Sequence, residues 1–276
     1  MQRQHTAEER REQALEVAEA CAQLLKQRFG ARRVLLFGSL AQQGVWHEQS
    51  DIDIAVEGLA PADFFPAYSA CRDVLPRGLE LDLVPLENAH PEMRARILGE
   101  VEMSEDPILA LRDLIEDKLV TLRRVTQETD DALSSFPDPP TQLELHGLAA
   151  YLHQFYTGVE SIFERIAVRL GEGLPHGAYW HVDLLNQMAE ARPGKRPAVI
   201  DEPLRARLKD YLDFRHFFRH AYGYTLEWNQ IRWKAESMSE TLATLREQLH
   251  VFFQAIINGT WNNDSPPEGN HDTDSH

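Results

Sequence analysis

Two short apolar runs bracket a glycine-serine pair and a pair of aspartates, and this layout constrains the chain more than any other feature. Val34, Leu35, Leu36 and Phe37 lead into Gly38-Ser39, and Asp51-Ile52-Asp53 heads the second run. Residues i and i+2 of a strand share a face, so Asp51 and Asp53 are expected to project side by side. Two ionised carboxylates held together repel unless a cation lies between them. The stretch therefore predicts a divalent-metal site beside a turn that accepts phosphates. A third strand-like run, Leu79 to Leu86, alternates Glu80 and Asp82 against Leu79, Leu81 and Leu83. If it lies beside the second strand, Asp51, Asp53 and Asp82 form a triad of oxygen ligands suited to Mg²⁺. Two such ions about 3.5–4 Å apart would stabilise the attacking and leaving oxygens of a phosphoryl displacement. Gly38 permits close approach of backbone to phosphate, and Ser39 adds a hydroxyl donor. Amides of a helix starting there would supply more donors to an anion.

Around these runs, helical and strand periodicities alternate. Apolar residues recur at helical steps over 6–28, and Gly30 is placed to end that helix. Strands are expected at 33–37, 51–56 and 79–86, helices near 62–75 and 91–98, and a strand-like segment at 100–104. From Pro107 the pattern is helical only, with helices over 107–134, 141–171, 178–191, 201–222 and 224–257. Pro- or Gly-rich breaks separate several of them, as in Pro137-Asp138-Pro139-Pro140 and Arg192-Pro193-Gly194. The expected architecture is an α/β (α+β) domain with a small mixed sheet over 1–106, then an all-α bundle over 107–258. Residues 259–276 are polar and rich in Pro and Gly, and a disordered tail is expected there.

A second group of chemical residues lies at the end of the helix over 201–222. Arg215, His220 and Tyr222 form R-x4-H-x-Y. Arg215 and Tyr222 share a helical face, whereas Arg215 and His220 are about 140° apart. Bringing that Arg and His together requires a kink, a long reach or a second copy of the chain. An Arg stabilises a developing pentavalent phosphate and a His moves the proton, which suffices for metal-independent RNA cleavage through a 2′-hydroxyl. Phe214, Phe217 and Phe218 are read as core. Lys195, Arg196, Arg205, Arg207 and Lys209 offer the best local RNA contacts, and His176 and His181 lack zinc-like spacing.

Charge limits how RNA would be engaged. The formal net charge of −16 opposes indiscriminate binding to phosphates, so any RNA must meet a local basic cleft. With 43% apolar and 26% charged residues, a buried core is expected. No apolar run suggests a signal peptide or membrane span, and Cys21 and Cys71 have no C-x-x-C spacing. A soluble cytoplasmic protein in a reducing compartment, without membrane contact, is the expectation.

The order G-S, D-x-D and a third acid on a later strand resembles the minimal nucleotidyltransferase (MNT) branch of the DNA polymerase β superfamily. The likeness covers about residues 20–105. Residues 40–50 separate Ser39 from Asp51, and Leu40-Ala41-Gln42 stands where the family commonly has an arginine. It implies transfer of AMP from ATP with release of pyrophosphate, Asp51 and Asp53 ligating metal, Asp82 helping to activate the acceptor hydroxyl, and Gly38 and Ser39 holding the triphosphate. R-x4-H-x-Y in a helical domain after such a domain resembles the HEPN ribonuclease toxins (HepT) that pair with MNT antitoxins (MntA-like). There the antitoxin adenylylates the motif tyrosine and silences the nuclease. Carried over, Tyr222 is the acceptor, Arg215 and His220 are the RNase residues, and a homodimer through the helical domain is expected. The alternative is a nucleotidyltransferase for a small hydroxylated molecule, such as an aminoglycoside. The helical domain would then bind substrate or dimerise.

Overall fold

A computed structural model of the chain describes residues 7–41, 52–76, 79–89, 91–100, 104, 106–220 and 225–260. It divides into two compact units, Met1–Glu105 and Asp106–His276.

The first unit builds a three-stranded sheet against helices. Helix α1 (Ala7–Phe29) ends at Gly30, whose φ of 68° is the left-handed conformation a helix stop uses. Strand β1 (Arg33–Phe37) runs straight into the single turn α2 (Gly38–Ala41). Then follow β2 (Ile52–Glu57), a 3-10 turn at Pro61–Asp63, α3 (Phe64–Val74), β3 (Leu81–Pro85) and α4 (Pro91–Ile97). The sheet order is β1-β2-β3, with β1 antiparallel and β3 parallel to β2. A parallel neighbour needs a crossover, and α3 supplies it.

Residues 52–56 of β2 are all buried, as expected of a central strand. Ala14, Ala18, Cys21 and Leu25 of α1 pack with Ile52, Ile54 and Val56 of β2 and with Ala67 and Cys71 of α3. Period-2 alternation puts Asp53 on the opposite face. Cys21 and Cys71 are free and buried.

The second unit is helical throughout its described residues: α5 (Pro107–Ser135), α6 (Gln142–Arg169), α7 (Trp180–Ala189), α8 (Glu202–His220), α9 (Trp228–Glu236) and α10 (Met238–Ile257). Asp106 caps α5 by accepting from the Ile108 and Leu109 amides, and Thr141 with Glu144 makes a capping box on α6. Leu145, Leu148, Leu152, Phe155, Val159, Ile162 and Ile166 form the α6 stripe that anchors the core.

Two expectations change, and two fall largely outside the described residues. The single helix over 224–257 is two helices meeting at Ser237. The Lys234 carbonyl, which would continue the ladder, instead accepts the Tyr211 hydroxyl at 2.8 Å. Phe214 is buried as core, but Phe217 is 39% exposed. The strand-like segment at 100–104 lies largely outside the described residues, as does the tail from 261.

Candidate functional site

In the sheet unit, chain geometry gathers the turn and two of the acids. Phe37, the last residue of β1, is opposite Asp53, and Asp53 is in register with Asp82 on β3. The three side chains thus form one row across the sheet. Asp53 is only 4% exposed although it is a carboxylate. Gly38 explains how it fits. A Cβ built on Gly38 would lie 1.9 Å from Asp53 Oδ2, and Gly38 has φ of 69°. Both the close approach and the backbone conformation demand glycine. Gly38, Asp53 and Asp82 thus lie together on one side of the sheet.

Ser39 follows in α2, though its side chain, like all of Asp51, lies outside the described residues. Among the described residues no group of three or more His, Cys, Asp or Glu is close enough to hold a metal ion. Asp53 and Asp82 supply two carboxylates from adjacent strands, the donor type Mg²⁺ takes, and Gly38 gives the Asp53 carboxylate the space that a side chain would fill. The residues present therefore fit part of a Mg²⁺ site. Leu40, where the family commonly carries an arginine, is fully buried, and its carbonyl accepts from Arg11 Nη2 of α1 at 3.3 Å.

Arg215 of the second motif is 6% exposed. Its Nη2 lies 2.9 Å from Glu160 Oε2 on α6, and Nη1 lies 3.3 Å from Oε1 of the same residue. His181 of α7 completes the cluster: its Nδ1 is 2.5 Å from Glu160 Oε1 and 3.4 Å from Arg215 Nη1. Burial pushes the Glu160 carboxyl up to about 7, against the pull of Arg215 and Arg219. Burial also pushes His181 down to about 4, assisted by Arg215, His216 and Arg219. His181 Nδ1 and Glu160 Oε1 are joined by one hydrogen bond, whose donor depends on which of the two carries the proton.

Helix α8 runs unbroken from Glu202 to His220, so its backbone keeps Arg215 and His220 about 140° apart. The His220 side chain and Tyr222 lie outside the described residues.

Sequence reasoning missed Glu160 and His181 as partners of Arg215. The available signal was a carboxylate on the apolar stripe of α6, four residues after Tyr156 and three before Phe163. A charge on that face requires a buried partner.

Most of the basic residues expected to contact RNA are engaged in ion pairs. Arg196 is buried against Glu172, Arg205 pairs with Glu202, Arg207 with Glu240 at 3.1 Å, and Lys209 with Asp213 at 2.6 Å. Of the five, Lys195 alone has no ion pair among the described residues. The stretch reads as basic in sequence because its acids are distant in sequence or interleaved with it.

Comparison with known families agrees with this division. The family described as Polymerase beta, Nucleotidyltransferase matches residues 19–104, and that described as HepT-like protein matches residues 147–256. No curated protein and no solved structure matches the chain.

Proposed function

We propose that this chain, a polymerase β-type nucleotidyltransferase domain joined to a HepT-like domain, transfers AMP from ATP to Tyr222 of its own helical domain and so controls an RNA-cleaving site there. The observation that carries the reading is the presence of both domains on one polypeptide, with Gly38, Asp53 and Asp82 gathered at one place in the first.

In the proposed reaction the Tyr222 oxygen attacks the α-phosphorus of ATP, the phenolic proton passes to Asp82, and pyrophosphate leaves. Asp53 and Asp82, with Asp51, would hold Mg²⁺, which when bound neutralises charge on the triphosphate. Gly38 makes room for the Asp53 carboxylate, and Ser39 and the first amides of α2 would orient the phosphates. Arg215 and His220 are the proposed ribonuclease residues, and two copies of the chain would associate through the helical domain. Among the described residues no helix is long and apolar enough to cross a membrane.

Incubation with α-labelled ATP and Mg²⁺ is expected to label the protein, and Tyr222→Phe to abolish the label. Label undiminished in Tyr222→Phe would refute the acceptor. AMP transfer to an added aminoglycoside, with the protein unlabelled, would favour a small-molecule enzyme instead.

A further inference from the structure

We propose that the junction of α6, α7 and α8 binds an RNA phosphodiester, and that His181, held by Glu160, is the imidazole placed beside Arg215 in that site. The inference rests on an RNA-directed role for the helical domain and departs from the motif, which assigns the imidazole to His220.

Geometry favours His181. Its Nδ1 lies 3.4 Å from Arg215 Nη1, whereas the unbroken α8 separates Arg215 from His220 by about 140°. Glu160 fixes the ring through the 2.5 Å contact with Nδ1, and the His216 ring lies edge-on to it at 5.1 Å. An imidazole whose Nδ1–H is donated to a carboxylate presents Nε2 as its basic nitrogen.

The junction also holds buried polar nitrogens without a partner, of which the Arg215 Nε–H is a donor. Arg215 Nε and His153 Nδ1 are both buried with no hydrogen-bond partner. A buried donor left unpaired is costly, and an anionic oxygen would satisfy the Arg215 Nε–H. Five basic side chains from three helices share this region: His153 from α6, His181 from α7, and Arg215, His216 and Arg219 from α8. Glu160 is the acid within the cluster. Asp213 and Glu164 lie in reach of neighbouring Tyr156, and Asp213 is engaged by Lys209.

Arg219 is exposed and would form the entrance. In an acidic chain whose nearby basic residues are mostly committed to ion pairs, this is a local cationic centre of the kind RNA requires. Burial and the two arginines hold His153 and His181 below their ordinary pKa, and a bound phosphate would reverse that field and raise both.

The test titrates the full-length protein, labelled with ¹⁵N-histidine, with thymidylyl-thymidine, a phosphodiester that lacks the 2′-hydroxyl needed for cleavage. Saturable shifts of the His181 and His153 resonances, with raised pKa values, are expected. His181→Asn and Glu160→Gln should each weaken binding roughly tenfold, about 1.4 kcal/mol, with melting curves confirming folded protein. Unmoved His181 and His153 resonances in the wild type overturn the site without recourse to any variant. Loss of binding in His220→Ala, with His181→Asn unaffected, overturns the assignment of the imidazole. Dinucleotide binding by a protein that never cleaves RNA supports the site while retiring the nuclease reading. RNA cleavage with both resonances silent keeps the nuclease and sinks the site.

Discussion

Gly38 shows how one residue can carry several requirements at once. It ends β1 with positive φ, opens α2, and yields its side-chain space to the Asp53 carboxylate. Gly38→Ala should therefore do more than strain a turn. Left-handed φ costs an alanine about 1–2 kcal/mol, and the 1.9 Å overlap must also push Asp53 aside. The expected outcome is a drop of at least about 2 kcal/mol by urea titration of the sheet unit, with ATP labelling lost even where the variant remains folded.

Glu160 and His181 make a second residue-scale prediction, with opposing signs. Glu160 is raised from 4.5 to about 7, so the folded state favours its proton, and its contribution is lost as pH rises through that interval. His181 is lowered from 6.5 to about 4, so its contribution is present above 6.5 and is lost as pH falls toward 4. Between pH 4.5 and 6.5 the two slopes oppose each other. Melting temperature across that window should fall more steeply on acidification in Glu160→Gln than in wild type, and less steeply in His181→Asn. Parallel curves for all three proteins would contradict the opposing slopes.

At the scale of elements, periodicity made most of the architecture legible. The strands around Gly38 and Asp53 were readable because each is a short apolar run with turn chemistry at its end. That the third run lies beside the second stood only as a condition in the sequence, and the parallel register meets it, with α3 as the crossover. What periodicity did not reveal was set by distant side chains. The α9–α10 break depends on Tyr211 reaching the Lys234 carbonyl from α8, and nothing in residues 224–257 announces it. Tyr211→Phe should cost about 1–2 kcal/mol in thermal unfolding, since it leaves that carbonyl without the hydroxyl. The Glu160–Arg215–His181 cluster was hidden for the same reason, because its members come from three helices.

Helix packing gives a further prediction. A Cβ on Gly158 of α6 would meet Leu122 Cδ2 of α5 at 2.5 Å. Leu122 can rotate away from an alanine, but a branched side chain would press the helices apart. Gly158→Val should destabilise the helical unit by about 1–3 kcal/mol, and Gly158→Ala by much less.

For the whole molecule, two separate cores matter more than the overall acidity. The sheet unit packs around β2 and α1, and the helical unit around α6, each with its own buried cluster. Two cores predict two unfolding transitions by calorimetry, and Gly158→Val should shift only the helical one. A single transition moved as a whole by that substitution would show the units to unfold together.

The proposed function follows the same division, assigning transfer chemistry to one unit and the acceptor to the other. Intact mass spectrometry before and after ATP and Mg²⁺, with peptide mapping, tests that relation most directly. The account predicts one or more AMP-sized increments confined to the peptide containing Tyr222, absent in Asp53→Asn. An unmodified protein that nevertheless releases pyrophosphate from ATP when a small hydroxylated acceptor is present, or AMP mapped to another residue, would contradict it.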